Sequence, residues 1–246
     1  MYPVICQFGP VAVYSYGLML AVAVLVCSFL ASREARAVGI SAEIIYDLAF
    51  WLVISGILGA RLFFIFLNLS FFLENPVEIV MIQKGGLAWH GGLVAATLTG
   101  VWFIRQKKLS LTRMLDLVAP YIALGEAIGR VGCFLNGCCY GREVPWGIYF
   151  PVHHARLHPT QLYSFAALLV LFFILKWYRR ISSVPGDVFV LYLFVASLLR
   201  FIVEFFRADH DILAGGLSVY QWVCLVLMTL AVYVHYLLKS RSRTSS

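Results

Sequence analysis

Seven stretches of mostly apolar residues follow one another along the chain, near 12–31, 44–72, 89–104, 114–134, 161–176, 187–206 and 216–238. An α-helix needs about 20 such residues to cross a bilayer, and in lipid each backbone polar group must find its partner inside the segment. The pattern predicts an all-α, polytopic integral membrane protein with about seven transmembrane helices, forming one domain over 1–246. The third and fifth stretches are short. The second is long enough to tilt or break, and Gly56 and Gly59 sit where a break is tolerated. The first lacks the basic leader of a cleavable signal peptide. Hydrophobic residues make up 62% of the chain and charged residues 13%, against roughly 45–50% and 25% in a soluble domain. That balance excludes a soluble globular domain, a disordered chain and a disulfide scaffold.

The excess of 19 Lys+Arg over 12 Asp+Glu need not mean nucleic acid. In membrane proteins, basic residues collect in cytoplasmic connections. Twelve of the basic residues fall on one side, in the first, third and fifth connections and the 239–246 tail. Four fall on the other side: Lys84, Arg142, Arg156 and Arg207. The N-terminus is therefore expected outside and the C-terminus in the cytoplasm, with an outer loop over 137–158. The remaining three, Arg61, Arg130 and Arg200, lie inside spans.

A charge at the centre of a span costs roughly 2.5–3.5 kcal/mol on insertion scales, so such groups point to function. Arg200, Glu204 and Arg207 in LLRFIVEFFRAD are spaced to share one helix stripe. Glu204 can pair with either arginine. The plain reading is a structural ion-pair ladder; the sharper one is an anion site, since two arginines outnumber one glutamate. Arg130 lies near the outer end of the fourth span, in GEAIGRVGCFLNGCCYG (125–141). Gly125, Gly129 and Gly132 allow close approach of a backbone or a headgroup, and Asn136 can hydrogen-bond one. His90 stands between glycine pairs in GGLAWHGG (85–92). With a free pKa of about 6.5 it is a candidate general base near neutral pH. In HPTQLY (158–163), Pro159 reads as a first-turn proline, Thr160 as a cap, and Gln161 as a polar group at the helix start. With Tyr16 at the outer start of the first span, these polar residues collect toward the outer leaflet. That clustering suggests one site facing a lipid headgroup or an exported substrate.

Cys133, Cys138 and Cys139 share the outer side with His153, His154 and His158. Their C-x4-C-C spacing matches no common zinc pattern, and a disulfide from Cys138 or Cys139 to another part of the chain is preferred over a metal site. Cys6, Cys27 and Cys224 read as apolar filler.

Taken in order, SYGLM (15–19), GAR (59–61), GGLAWHGG, GRVGCFLNG, HPTQLY, LRFIVEFFR (199–207) and LSVYQW (217–222) resemble the prolipoprotein diacylglyceryl transferases of the bacterial inner membrane. The resemblance spans nearly the whole chain. It implies transfer of a diacylglyceryl group from phosphatidylglycerol to the lipobox cysteine thiol of a prolipoprotein, without metal or redox cofactor. It implies that Arg130 and Arg200 bind and stabilise the lipid phosphate and that His90 serves as base. Tyr16, Arg61, Asn136, Gln161, Glu204 and Arg207 would shape the substrate site. The family signature G-R-x-G-N-F-x-N-G-E is not fully kept: Cys133 replaces its first Asn and Cys138 its Glu. Both changes remove polar groups close to the expected site, so a paralogue with another acceptor is an alternative. A transporter or flippase for an anionic lipid or metabolite would use buried arginines equally well, but is expected to place them near the midplane. A lipid-binding scaffold would not need His90 in its glycine frame.

Overall fold

The computed structural model describes residues 1–8, 11–81, 85–208 and 212–244. The chain is mostly helical. Among the described residues, seven helices have 18 residues or more: α1 (Ser15–Ala37), α2 (Ala42–Leu67), α4 (Trp89–Gln106), α5 (Leu111–Asn136), α6 (Thr160–Ile181), α7 (Asp187–Glu204) and α8 (Val219–Thr244). Short α3 (Leu69–Glu74) and a 3-10 turn (Pro76–Val80) follow α2. Five of the helices, α1, α2, α5, α6 and α8, are long and apolar enough to cross a membrane. α7 has the length but carries Asp187, Arg200 and Glu204 within its 18 residues. Leu62, Phe66 and Trp102 are among many large apolar side chains left more than half exposed, as lipid-facing surfaces require.

Among the described residues, three two-stranded antiparallel sheets accompany the helices, a β component that the apolar runs did not announce. β1 (Val4–Phe8) pairs with β2 (Val11–Tyr14), β3 (Glu143–Phe150) with β4 (Ala155–Leu157), and β5 (Ile212–Ala214) with β6 (Leu217–Ser218). The expected 137–158 loop is thus largely an ordered hairpin.

The chain forms two compact units, 32–114 and 1–31 with 115–246. In the first, α2 and α4 associate along a seam of small residues. A Cβ on Gly59 would stand 2.7 Å from the Gly91 carbonyl oxygen, and one on Gly92 3.0 Å from that of Gly56. Lipid tails are as apolar as leucine, so helices in a membrane gain mainly from close packing, which small residues permit. Gly56 and Gly59 therefore serve contact rather than a break. α2 runs through both, and the interruption falls at Asn68, whose amide donates to the Phe64 and Ile65 carbonyls.

In the second unit, Ala119, Ala123 and Ala127 of α5 pack against Leu168, Leu171 and Leu175 of α6 and Val188 and Tyr192 of α7. The alanine spacing of four puts one small stripe toward the larger side chains. The N-terminus of α7 begins at Gly186 (φ +100°), which has no side chain to cap it. Asp116 of α5 supplies the cap, accepting from the Gly186 N–H (2.6 Å) and the Phe189 N–H (3.0 Å).

Candidate functional site

The ladder expected from LRFIVEFFR forms, and α7 and the turn after it carry it. Glu204 is 1% exposed. Its Oε2 lies 2.8 Å from Nη2 of Arg200 and 3.9 Å from Nε of Arg207. The carboxylate is thus shared between the two arginines. Arg207 does not extend the helix stripe, because α7 ends at Glu204. Beyond it the chain is drawn aside: the Arg142 N–H donates to the Phe206 carbonyl (2.9 Å), and Arg207 bridges to Gly141. The turn brings Arg207 back toward the same glutamate.

Three residues that the sequence reading did not single out complete this cluster. The Ser218 hydroxyl donates to Glu204 Oε1 at 3.1 Å, and Oε1 of Gln221 accepts from the Ser218 N–H at 2.9 Å. Arg200 stands over the Tyr220 ring, 5.1 Å from its centroid, a cation–π distance. The signal was present in LSVYQW, but only folding brings the start of α8 beside Glu204.

Arg130 on α5 is within electrostatic reach of Arg200. One turn earlier, Glu126 accepts a hydrogen bond from the Tyr192 hydroxyl. In this region three arginines, Arg130, Arg200 and Arg207, outnumber the two carboxylates Glu126 and Glu204. Tyr16 is held against α5 at Gly132, where an added Cβ would come 3.3 Å from both Cα and Cδ2 of Tyr16.

Asn136 ends α5. Beyond it, Gly137 (φ +76°) closes a Schellman turn: the Cys138 N–H donates to the Cys133 carbonyl (3.1 Å) and the Gly137 N–H to that of Phe134 (3.2 Å). The turn is pinned from α6. Nε2 of Gln161 donates to the Cys138 carbonyl and the Thr160 hydroxyl to the Cys139 carbonyl, each at 2.6 Å. Gln161 is fully buried. The cap expected of Thr160 is not made, because its hydroxyl is spent on Cys139; Pro159 occupies the N-cap position rather than the first turn. All six cysteines are free, so the expected disulfide from Cys138 or Cys139 is absent. The turn instead brings Cys133, Cys138 and Cys139 together, their sulfurs within 4.8 Å of one another. Hydrogen bonds from Cys133 and Cys138, then the charges of Arg207 and Arg130, hold the Cys139 thiol below the ordinary thiol range despite burial.

Arg61 and His90 belong to the 32–114 unit. Arg61 is 6% exposed and its guanidinium is turned inward. Nε donates to the Ile79 carbonyl (3.1 Å), Nη1 to Gly85 (2.7 Å) and Gly86 (2.9 Å), and Nη2 to Glu78. The Phe72 ring lies against it, 5.3 Å away. Together with the Ala88 N–H bond to the Ala60 carbonyl (3.0 Å), this ties the approach to α4 onto α2. Exposed His90 follows directly, in the first turn of α4, edge-on to Trp89 at 5.4 Å.

The described residues thus make a mostly helical membrane-type protein, with five helices of membrane length and a buried arginine–carboxylate cluster. The comparisons narrow this. Residues 3–237 match the model of the family described as prolipoprotein diacylglyceryl transferase. Relatives named phosphatidylglycerol–prolipoprotein diacylglyceryl transferase include one from Geobacter sulfurreducens, 37% identical over 251 residues, covering 97% of this chain and 96% of its own length. Another from Bordetella parapertussis is 35% identical, with 97% and 95% covered, and one from Clostridium tetani is 33% identical, with 95% and 96% covered. The chain belongs to the prolipoprotein diacylglyceryl transferase family.

Proposed function

We propose that this chain transfers the diacylglyceryl group of phosphatidylglycerol to the lipobox cysteine thiol of prolipoproteins, the first step of lipoprotein maturation. The observation that carries this reading is the Arg200–Glu204–Arg207 cluster with Arg130 in reach, where guanidinium groups outnumber the carboxylate. A phosphodiester brings the negative charge that such a set can pair with. In this reading the chain has seven spans in the bacterial inner membrane, N-terminus outside and C-terminus cytoplasmic, with Arg130 and Arg200 toward the outer leaflet.

The thiol sulfur attacks the glyceryl carbon that carries the phosphate. A carbon–sulfur bond forms, the carbon–oxygen bond breaks, and glycerol phosphate leaves with the electron pair. Charge grows on the leaving phosphate, where Arg130 and Arg200 stabilise it; such preorganised donors work best where water is excluded. Glu204 and Ser218 fix the direction of Arg200, and Tyr220 supports its face. His90 accepts the thiol proton. A thiol of pKa about 8.5 is mostly protonated at neutral pH, so the base matters most there. Tyr16, Asn136 and Arg207 border the lipid. Gln161 holds the Cys138 turn, and Arg61 holds the segment that delivers His90.

The test is a mass-shift assay with purified chain, phosphatidylglycerol vesicles and a lipobox peptide. Gain of a diacylglyceryl mass on the peptide cysteine, lost in Arg200→Ala, is the expected result. No transfer by folded chain that binds phosphatidylglycerol would overturn the acceptor assignment. His90→Asn should cost about 10²-fold or more. That deficit should narrow as pH rises past about 8.5, where the peptide thiol ionises unaided. A deficit that stays constant with pH would remove His90 from the role of base.

A further inference from the structure

The transferase reading makes no use of the three thiols at the end of α5. Cys133 lies on the last turns of the helix, and the Gly137 turn folds Cys138 and Cys139 back over it. Cys139 itself has φ +61°, a left-handed conformation that a residue with a Cβ adopts only under strain. The strain is maintained by Thr160 and Gln161, which grip the carbonyls of Cys139 and Cys138. The backbone thereby fixes three sulfurs on one small volume before any ligand arrives.

Their spacing has a chemical meaning. Three thiolates bound to one ion at about 2.3 Å stand roughly 3.8–4.0 Å from each other. The three sulfurs here all lie within 4.8 Å of one another, so only small side-chain rotations separate them from that arrangement. Thiolates are soft donors that select soft cations over Mg²⁺ or Ca²⁺. A zinc ion favours four ligands, whereas Cu(I) is satisfied by three sulfurs. Two of the thiols stand where the family signature carries Asn and Glu.

We propose that Cys133, Cys138 and Cys139 form a binding site for one soft cation, of which Cu(I) fits best. This does not rest on the transferase reading, and its test reads metal rather than turnover. The full chain in detergent, kept reduced, is offered Cu(I) from a chromogenic chelator, and the retained copper is counted and its ligands read by X-ray absorption. The expected result is one copper per chain with a first shell of three sulfurs. Cys139→Ser and Cys138→Ser should each weaken retention at least 100-fold, while Cys27→Ala leaves it unchanged. A first shell of nitrogen or oxygen in the unmodified chain would overturn the proposal without relying on any variant. So would failure of a fully reduced chain to retain copper, or retention unchanged in a folded variant lacking all three thiols. A disulfide among the three in the protein as purified would overturn it as well.

Discussion

Arg61 and Arg200 are both arginines within long apolar helices, yet their surroundings assign them opposite tasks. Arg61 is 6% exposed and donates to four backbone carbonyls, and no ion pair to a carboxylate is seen for it among the described residues. Its charge is consumed in closing the irregular backbone between α2 and α4. Buried carbonyls outside regular structure must be paired, and one guanidinium with five donors pairs several at once. The Arg200 side chain is 24% exposed, and its carboxylate partner is itself shared with Arg207. That arrangement orients the guanidinium without cancelling it. An arginine in a membrane helix therefore marks an anion site only when its partners leave charge to spare.

The comparison breaks first at Arg200. Arg200→Ala and Arg130→Ala should each lower diacylglyceryl transfer by about 10²–10³-fold, the usual loss for one donor to a developing oxyanion. Thermal unfolding in detergent should change little in Arg130→Ala and more in Arg200→Ala, which strips buried Glu204 of its nearest cation, but by less than the loss in transfer. Equal loss of activity and melting temperature would make the cluster structural, like Arg61. The second test reverses the readout. Arg61→Ala strands several buried carbonyls at about 1–3 kcal/mol each, so a stability loss of about 3 kcal/mol is expected in denaturant unfolding. Transfer per folded molecule should fall far less than in Arg200→Ala. A drop as large as that of Arg200 with normal stability would give Arg61 a direct place at the substrate.

Glu204→Gln keeps an acceptor for Ser218 but removes the shared charge. With Arg200 a quarter exposed, the unpaired arginines partly hydrate, and a loss of about 2 kcal/mol in stability is expected. The Michaelis constant for phosphatidylglycerol should fall or stay level while kcat drops, because positive charge is kept but its aim is lost. The smallest effect belongs to Ser218→Ala. One hydrogen bond to a buried carboxylate is worth about 1–2 kcal/mol, and a five- to tenfold loss in kcat, with normal folding, would show that Glu204 needs this support. No change in kcat would leave Arg207 and Arg200 as its sufficient partners.

Where the sequence was informative, the physics was local. An apolar run of membrane length must hydrogen-bond within itself; each of the seven runs falls on a helix among the described residues, ends shifted by a few residues, and five of these helices are long and apolar enough to cross a membrane. The Arg200–Glu204 pair was equally visible, since i, i+4 residues meet on any α-helix. Arg207 met Glu204 for a different reason, a turn fixed by Gly141 and Arg142 that helical spacing does not describe. The glycines at 56 and 59 were legible as special, but helix breaking and close packing ask for the same residue. Only the facing Gly91 and Gly92 distinguish the two.

The chain by itself determined the helices, the excess of arginine over carboxylate, and the family. Tertiary structure decided which arginine is spent, that Ser218 and Tyr220 stand beside the arginine–glutamate pair, and that three cysteines share one point. Those outcomes turn on residues far apart in sequence or on a left-handed turn, and neither leaves a period for a sequence to display. A charge in a helix states its cost in the sequence, but what it meets is settled only when the chain closes around it.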